Sequence, residues 1–326
     1  MKKIFITGGA GYVGAVLVPD LLNAGYHVTV LDLMLYGNDV LPNHKNLKTI
    51  KGDIRDIKLL KESIKNHDCV IHLACISNDP SFELNPSLGK SINYDAFEPL
   101  VKVSVESKVN RFIYASSSSV YGIKKEKNIT EDMKLEPLTD YSKFKGGCEK
   151  ILNSYKSDNF TTTTIRPSTV CGYAKRQRLD LVVNILTNHA FHNKEITVFG
   201  GDQLRPNVHI NDMVDSYLAV LDAPSKKING EVFNVGFKNQ SVNELANDVK
   251  EVIGSDVNII HTKSDDNRSY HVSSEKIKEM LGFETKYTVK DAVLDLKNAF
   301  DKKIFNDPLN NENYFNVKKM QSIKLV

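Results

Sequence analysis

Short apolar runs alternate with longer amphipathic stretches through the first half of the chain. The runs are five or six residues long and are bounded by glycine or polar residues, a pattern that predicts buried strands. They lie at 3–7, 27–32, 47–51, 69–73, 111–116 and 161–166. Helical periodicity fills the intervals, and strands that alternate with helices form parallel sheets covered on both faces. The sequence therefore predicts an α/β fold built on a doubly wound parallel sheet of the Rossmann type.

The pattern loosens after residue 166. We expect a first domain over 1–166, with about 206–235 packing back onto it, and a second, smaller C-terminal α/β domain from 167–205 and 236–305. The polar tail 306–326 has weak periodicity and is expected to be loosely ordered. The elements predicted here are helices near 180–192, 211–221, 241–253, 273–281 and 288–301, and short strands at 196–199 and 232–235.

A glycine-rich segment follows the first strand directly. Its spacing, Gly8-x-x-Gly11-x-x-Gly14, differs from that of ordinary dinucleotide folds. The physics is the same, because glycines allow the tight turn and let backbone N–H groups approach a pyrophosphate at a helix N-terminus. Asp32 ends the second strand, where its carboxylate can accept hydrogen bonds from ribose hydroxyls, and no basic residue follows in 33–35. These residues predict a dinucleotide site in 1–166 and favour NAD over NADP.

Tyr141 and Lys145 lie one helical turn apart, so both side chains project from the same helix face. An ammonium near a phenol favours the phenolate, which would make the tyrosine a general base. A run of four serines, 116–119, follows the fifth strand, and ligands of parallel α/β sheets bind at the carboxyl ends of the strands. We therefore expect the serines and this pair to share one pocket.

Composition limits the possible partners. The chain of 326 residues is 41% hydrophobic and 25% charged, and its 43 basic residues nearly balance 40 acidic ones. That balance gives no reason to expect nucleic acid or a membrane surface as a partner. No apolar stretch is long enough to span a bilayer, the chain enters a strand at once without a signal peptide, and the cysteines show no metal-type spacing. We expect a cytoplasmic protein with reduced, mostly buried cysteines and no metal site.

The glycine segment, S-S-S-S-V-Y-G at 116–122 and Y-x-x-x-K at 141–145 together resemble the extended short-chain dehydrogenase/reductases, specifically the nucleotide-sugar epimerase and dehydratase branch. The similarity spans roughly 3–300. Further segments that resemble this family are Gly52–Asp56, His72–Ala74, Arg166–Gly172, Arg205–Asp212 and Asp266–Tyr270.

The resemblance implies an NAD-dependent enzyme acting on a nucleotide-diphosphate sugar, with the substrate held by the second domain and a homodimer formed through helices near 90–107 and 140–157. The implied catalytic residues are Ser117, Tyr141 and Lys145. The candidate cofactor-binding residues are Gly8, Gly11, Tyr12, Val13, Gly14, Asp32, Asp53, Ile54, Leu73, Ala74, Ser116, Tyr141, Lys145 and Pro167. The candidate substrate-binding residues are Ser77, Asn78, Thr169, Arg205 and Arg268.

Three other residues near the substrate helix, Arg176, Arg178 and Asn184, either hold substrate or are solvated; the sequence leaves both readings open. The histidines at 72 and 209 are expected to be buried and hydrogen-bonded rather than catalytic.

The serine run also bears on the reaction. In the family's 4,6-dehydratases an Asp–Glu pair follows the catalytic Ser/Thr, whereas this chain has Ser118 and Ser119 there. A serine hydroxyl lacks the pKa for either role, so the sequence favours a nucleotide-sugar 4-epimerase that oxidises C4 and reduces it again. The alternatives are a C4 dehydrogenase or 4-ketoreductase, then a 4,6-dehydratase. A non-catalytic NAD(H)-binding sensor is an alternative of a different class.

Overall fold

The first half of the chain and one later strand build a single parallel sheet. In the computed structural model, which describes residues 2–37, 39–124, 126, 128–263 and 271–323, the sheet has seven strands in the order β10-β6-β5-β4-β1-β2-β3. All of its neighbouring pairs are parallel. The strands of the described ranges are β1 (Lys3–Thr7), β2 (His27–Asp32), β3 (Leu47–Lys51), β4 (Cys69–His72), β5 (Arg111–Ala115), β6 (Thr161–Pro167), β7 (Thr169–Cys171), β8 (Glu195–Phe199), β9 (Leu204–His209), β10 (Glu231–Val235), β11 (Asn239–Ser241) and β12 (Asn258–Thr262).

Helices cover both faces of this sheet, and the predicted doubly wound α/β fold is confirmed. One apolar cluster joins α1 and α8 to one face, and a second joins α5 and α6 to the other. The helices of the described ranges are α1 (Gly14–Asn23), α2 (Ile57–Ser63), α3 (Asp79–Glu83), α4 (Pro86–Lys90), α5 (Phe97–Glu106), α6 (Asp140–Ser154), α7 (Val182–Asn193), α8 (Ile210–Asp222), α9 (Ser225–Ile228), α10 (Val242–Ile253), α11 (Glu275–Leu281), α12 (Val289–Asp301) and α13 (Asn316–Ser322), with a π-turn at Ser91–Asp95 and 3₁₀ turns at Ser118–Tyr121 and Glu312–Tyr314.

The strand order reverses between β1 and β4, since the chain moves outward to β3 before it returns to β4. Loops that leave neighbouring strands at such a point diverge to opposite faces of the sheet and leave a crevice between them. The glycine segment leaves β1 and residues 73–78 leave β4, so both border this crevice.

A smaller second unit carries its own core. Helices α7, α10 and α12 pack together with the parallel pair β8 and β12, while β7, β9 and β11 form a three-stranded sheet. The sequence pattern predicted β8 but not the strands β7, β9, β11 and β12. Two of these strands, β7 and β11, have only three residues each, too few for a periodicity to be read.

The C-terminal segment is folded, contrary to the expectation of a loosely ordered tail. Tyr314 and Phe315 pack against an apolar cluster that includes Leu179 and Phe305, and α13 follows them. Asn316, the first residue of that helix, is only 4% exposed. Tyr314 and Phe315 therefore order this segment, although its mainly polar composition gave no indication of packing.

Candidate active site

One cleft of about 450 Å³ opens at the carboxyl edge of the sheet, between the sheet and the smaller unit. It brings together all the described residues of the predicted catalytic, cofactor-binding and substrate-binding sets; Arg268 lies outside the described residues. The lining includes Gly8, Gly11, Tyr12, Val13, Gly14, Asp32, Asp53, Ile54, Leu73, Ala74, Ser77, Asn78, Ser116, Ser117, Tyr141, Lys145, Pro167, Thr169 and Arg205.

The glycine segment leaves the floor of the cleft free of side chains. Gly8 has a φ of +74°, and a Cβ added to it would lie 2.5 Å from the backbone nitrogen of Ala74. A Cβ on Gly11 would meet only the Gly8 carbonyl oxygen, at 3.1 Å, and otherwise faces open space. No side chain caps the N-terminus of α1. These features fit a pyrophosphate, whose charge the N-terminus of a helix favours.

Asp32 is fixed at the end of β2 by two backbone hydrogen bonds. Its carboxylate accepts from Ala10 N at 3.0 Å and from Met34 N at 2.9 Å. Burial raises the pKa of this carboxyl, although the hydrogen bonds from Met34 and Ala10 act in the opposite direction. Asp53, two residues after β3, forms a 2.8 Å ion pair with Arg55. Both carboxylates therefore face the cleft in fixed positions.

The serine run turns immediately after β5. Ser117 accepts a hydrogen bond from Ser119 N at 3.1 Å, and the two hydroxyl oxygens lie 2.8 Å apart. Ser116 points the other way and donates to Glu149, which forms a buried 2.6 Å ion pair with Arg166. The run thus presents Ser117 to the cleft while Ser116 anchors it from below.

Helix α6 carries the tyrosine and the lysine, and a capping box between Thr139 and Ser142 starts it. The Lys145 ammonium donates to the Ala115 carbonyl oxygen at 2.7 Å and lies 5.8 Å from the centroid of the Tyr141 ring. Desolvation raises the pKa of Tyr141 far above its ordinary value; the nearby Cys75 and Asp79 side chains add to the rise, and Arg178 opposes it. Burial therefore has a larger effect on the pKa of this phenol than the charge of Arg178, and the expected effect of Lys145 on the phenol stays a prediction.

The opposite wall carries the substrate-side candidates. Thr169 begins β7, and Arg205 lies in β9 rather than in a loop. Asn78 adopts a φ of +72° and caps α3 by accepting from Ser81 N at 3.0 Å. A non-glycine residue in this conformation is uncommon and is often found at binding sites. Asn78 therefore fixes the polar loop after β4 at the start of α3, and Ser77 and Asn78 of this loop line the cleft.

The three residues before or in the first turn of α7 are buried, which excludes the solvated alternative that the sequence left open. Arg176 and Arg178 are only 4% and 8% exposed, and Asn184 is fully buried. Arg178 pairs with Asp180 at 2.9 Å. Asn184 donates to the Tyr12 hydroxyl at 3.0 Å. None of these residues is a solvated loop residue, and both arginines line the cleft.

The sequence reasoning missed several residues of the site. Tyr36 and Asn316 line the cleft, and Glu149 supports the serine run from beneath. Arg166 lies in a strand of buried threonines, a signal that could have suggested a buried partner such as Glu149. Nothing in the sequence near Asn316 marks it as part of the site.

His72 and His209 are buried, as predicted, and accept or share hydrogen bonds with Thr7 and with the Asn211 backbone. The four cysteines are free, and three of them are buried. In the described ranges no group of His, Cys, Asp and Glu side chains is arranged to hold a metal ion. No helix among the same residues has the length and apolar character needed to cross a bilayer.

A doubly wound sheet, a glycine loop under an uncapped helix and a Ser-Tyr-Lys set in one cleft define an NAD-binding enzyme of the extended short-chain dehydrogenase/reductase type. The family model described as "NAD dependent epimerase/dehydratase family" matches residues 4–236, and the chain belongs to that family. The resemblance drawn from the motifs, the prediction of an enzyme and the predicted cofactor are thereby confirmed.

Individual relatives have different activities. The chain is 28% identical to a UDP-glucose 4-epimerase of Lactobacillus helveticus, over 90% of this chain and 94% of the relative. It is equally 28% identical to human dTDP-D-glucose 4,6-dehydratase, over 90% and 88%. The structure of a UDP-glucuronic acid 4-epimerase from Bacillus cereus, in complex with UDP-glucuronic acid and NAD, superimposes with a TM-score of 0.83 at 26% identity and covers 93% of this chain and all of that one. Overall similarity alone does not select one reaction.

Proposed function

We propose that this protein is an NAD-dependent nucleotide-sugar 4-epimerase. The observation that carries the proposal is the hydrogen-bonded pair Ser117 and Ser119 in the same cleft as Tyr141 and Lys145. The set contains a hydroxyl donor, a phenol and an ammonium, which are the groups needed to move one proton at a sugar hydroxyl. It contains no carboxyl group at residues 118 and 119, where a dehydratase needs its acid and base.

NAD, when bound, takes up a hydride from the sugar and gives it back. Gly8, Gly11 and the N-terminus of α1 would hold its pyrophosphate, and Asp32 would accept from the adenosine ribose. The side-chain-free floor and the fixed Asp32 carboxylate described above fit this group.

The chain's own residues then handle the proton. The Tyr141 phenolate removes the proton of the C4 hydroxyl, while the C4–H electron pair leaves as hydride and the C4–O bond becomes a carbonyl. Ser117 donates a hydrogen bond to the same oxygen and stabilises the negative charge that develops on it. In the return step the phenol gives the proton back as hydride reaches the other face of C4, so that Tyr141 ends as it began. Lys145 contributes by holding α6 against the end of β5.

One alternative shares all of these residues. If the 4-keto sugar leaves the cleft before hydride returns, the protein is a C4 dehydrogenase or, in reverse, a 4-ketoreductase. Buried Arg178 supports retention of an anionic nucleotide sugar, because it lines the cleft next to Ser77.

The homodimer stays part of the proposal. On the α5–α6 side of the molecule, the half-buried rings of Tyr94 and Phe144 contact each other in a tilted arrangement with centroids 5.0 Å apart, and Val105 is 40% exposed. These apolar groups support an interface through α5 and α6. Sedimentation at micromolar concentration is expected to give twice the monomer mass, and a monomer at all concentrations contradicts the interface.

A spectroscopic titration tests whether the site performs C4 redox chemistry. The NAD-loaded protein is mixed with UDP-, dTDP-, GDP- and CDP-sugars in turn, and absorbance near 340 nm is followed over a single turnover. At least one sugar is expected to give a transient or stable rise, whereas Tyr141→Phe gives none. A protein that binds NAD but shows no rise with any of the sugars would contradict C4 redox chemistry at this site.

A further inference from the structure

Arg176 is a buried cation without a carboxylate partner. Its guanidinium carbon lies 3.5 Å from the ring centroid of Tyr36, and its Nε has no hydrogen-bond partner. Over the part of the chain that the structure describes, the guanidinium donates to the Gln177 carbonyl oxygen at 3.3 Å and to the Asn316 side chain, and to no carboxylate. A buried charge in this situation is costly unless an anion pairs with it. Because Arg176 lines the cleft, a ligand can supply that anion.

Asn316 holds Arg176 in this position. Its Oδ1 accepts from Arg176 Nη2 at 2.6 Å and from the Tyr36 hydroxyl at 3.1 Å. Its Nδ2 donates to Ser77 Oγ at 2.8 Å, and its backbone N–H donates to Asp180 at 2.8 Å. One side chain at the start of α13 thus joins the loops after β2 and β4 to the loop of the smaller unit.

The loop that carries Arg176 rests on the glycine segment. The Tyr12 hydroxyl donates to the Gly172 carbonyl oxygen at 2.6 Å and accepts from Asn184 at 3.0 Å. Arg176 is also close enough to Asp32 for its charge to favour the ionised carboxylate. The arginine therefore lies above the dinucleotide half of the cleft, beside the acid that would hold the adenosine ribose.

The chemistry of these neighbours selects the anion. A phosphate on the adenosine ribose would be repelled by Asp32, whereas a pyrophosphate over Gly8 and Gly11 would leave Asp32 to the ribose hydroxyls. A planar guanidinium also suits the paired oxygens of a pyrophosphate.

We propose that Arg176 binds the pyrophosphate of NAD from the side opposite the glycine loop, and that Asn316 is the positioning residue that orients it. The C-terminal helix α13 then covers the bound dinucleotide, which is contacted by the glycine segment on one side and by Arg176 on the other. Slow release of NAD follows, and slow release suits an enzyme that regenerates its cofactor within one turnover. The proposal rests on NAD binding and not on the identity of the sugar.

The test is the rate at which bound NAD exchanges with excess radiolabelled NAD, measured on the NAD-loaded protein with no sugar present. Arg176→Met and Asn316→Ala are expected to exchange about 10- to 100-fold faster, as a lost charged hydrogen bond implies. Gln321→Ala, on the exposed side of the same helix, is the matched control and should exchange at the wild-type rate. Added salt should speed exchange in the wild type and have little effect in Arg176→Met, because the lost contact is ionic.

The variant Asn316→Asp distinguishes the effect of the Arg176 charge on NAD release from the effect of packing α13 against the cleft. The aspartate keeps the acceptor for Arg176 and accepts from Ser77, but its negative charge pairs with the guanidinium, so exchange should be as fast as in Arg176→Met. If Asn316→Asp exchanges NAD at the wild-type rate, only the packing of α13 matters, and the proposed role of the Arg176 charge is overturned. Since this variant keeps Arg176, the test also survives if Arg176→Met fails to fold.

Titration with UDP alone tests whether Arg176 binds NAD or the nucleotide sugar. The affinity for UDP is expected to be the same in Arg176→Met and wild type. Weakened UDP binding with unchanged NAD exchange would assign Arg176 to the nucleotide sugar and overturn the proposal. Neither result depends on whether the protein is an epimerase or a dehydrogenase.

Discussion

Lys145 donates a 2.7 Å hydrogen bond to the carbonyl oxygen of Ala115, the last residue of β5. This bond joins α6 to the strand from which the serine run leaves. Tyr141 lies one helical turn before Lys145, so the same bond also fixes the position of Tyr141 relative to Ser117. The lysine is only 4% exposed, so the distance between the two halves of the site is set by a buried, charged hydrogen bond.

Tyr141→Phe removes the group that takes the C4 proton. Turnover is expected to fall by about 10³-fold, within the range for loss of a general base, while the NAD content of the purified protein stays the same. Tyr155→Phe is the matched control, because Tyr155 lies at the end of the same helix and bonds to Glu98 instead. Full turnover in Tyr141→Phe would remove this residue from the mechanism.

The pH dependence of the first half-reaction follows from the raised pKa of Tyr141. A base acts when deprotonated, so the single-turnover rate of sugar oxidation should rise with pH, by up to about tenfold per unit below the pKa. Arg178 lowers the pKa of the phenol, and Arg178→Leu should therefore move the profile to higher pH. Stopped-flow absorbance over a pH series measures both profiles. A wild-type rate that is constant or falls with pH contradicts the role of the phenolate.

His72 predicts a pH dependence of stability rather than of activity. Burial, followed by the charge of Lys145, lowers the pKa of His72 from 6.5 to about 3. Below pH 6.5 the unfolded chain takes up the proton first, so the free energy of unfolding falls by about 1.4 kcal/mol per pH unit as the pH drops towards the folded pKa.

Urea unfolding at pH 7 and pH 5 checks this effect. In His72→Gln the loss of stability between the two pH values should be smaller than in wild type by about 2 kcal/mol. Replacement of the exposed His261 by Gln is the matched control. An equal loss in His72→Gln and wild type would show that this imidazole is not held neutral by the fold.

Two glycines separate backbone strain from steric clash. Gly8 and Gly25 both have a positive φ, but a Cβ on Gly25 meets nothing within 4 Å, whereas a Cβ on Gly8 would lie 2.5 Å from Ala74 N. Gly25→Ala should cost about 1–2 kcal/mol for the left-handed backbone. Gly8→Ala should cost about 1–3 kcal/mol more and weaken NAD binding. Urea unfolding and calorimetric NAD titration measure these differences, and equal costs would contradict the close packing of the glycine segment against the loop after β4.

Much of the site was predictable because parallel strands place their carboxyl ends on one edge. Each residue read as a strand end, such as Asp32, Ala74 or Ser117, lines the cleft for that reason alone. Asn316 was not predictable, since it lies 280 positions from Tyr36, to which it bonds. Its role depends on how the C-terminal segment packs, and no local pattern encodes that packing.

The electrostatics of the site were also beyond the sequence. The spacing of Tyr141 and Lys145 correctly placed both side chains on one face of α6, but it did not reveal that the ammonium would bond to Ala115 or that desolvation would dominate the phenol. The burial of Arg176 and Arg178 was equally hidden, because arginines in a loop are usually solvated.

Proton NMR of the NAD-loaded protein, without added NAD, against UDP-, dTDP-, GDP- and CDP-sugars tests the central claim most directly. The account predicts that one sugar is converted catalytically into its C4 epimer, with many turnovers per protein and no added oxidant. A 4-keto product that stops at one equivalent of protein, and increases only when NAD is supplied, would contradict the epimerase and identify a C4 dehydrogenase instead.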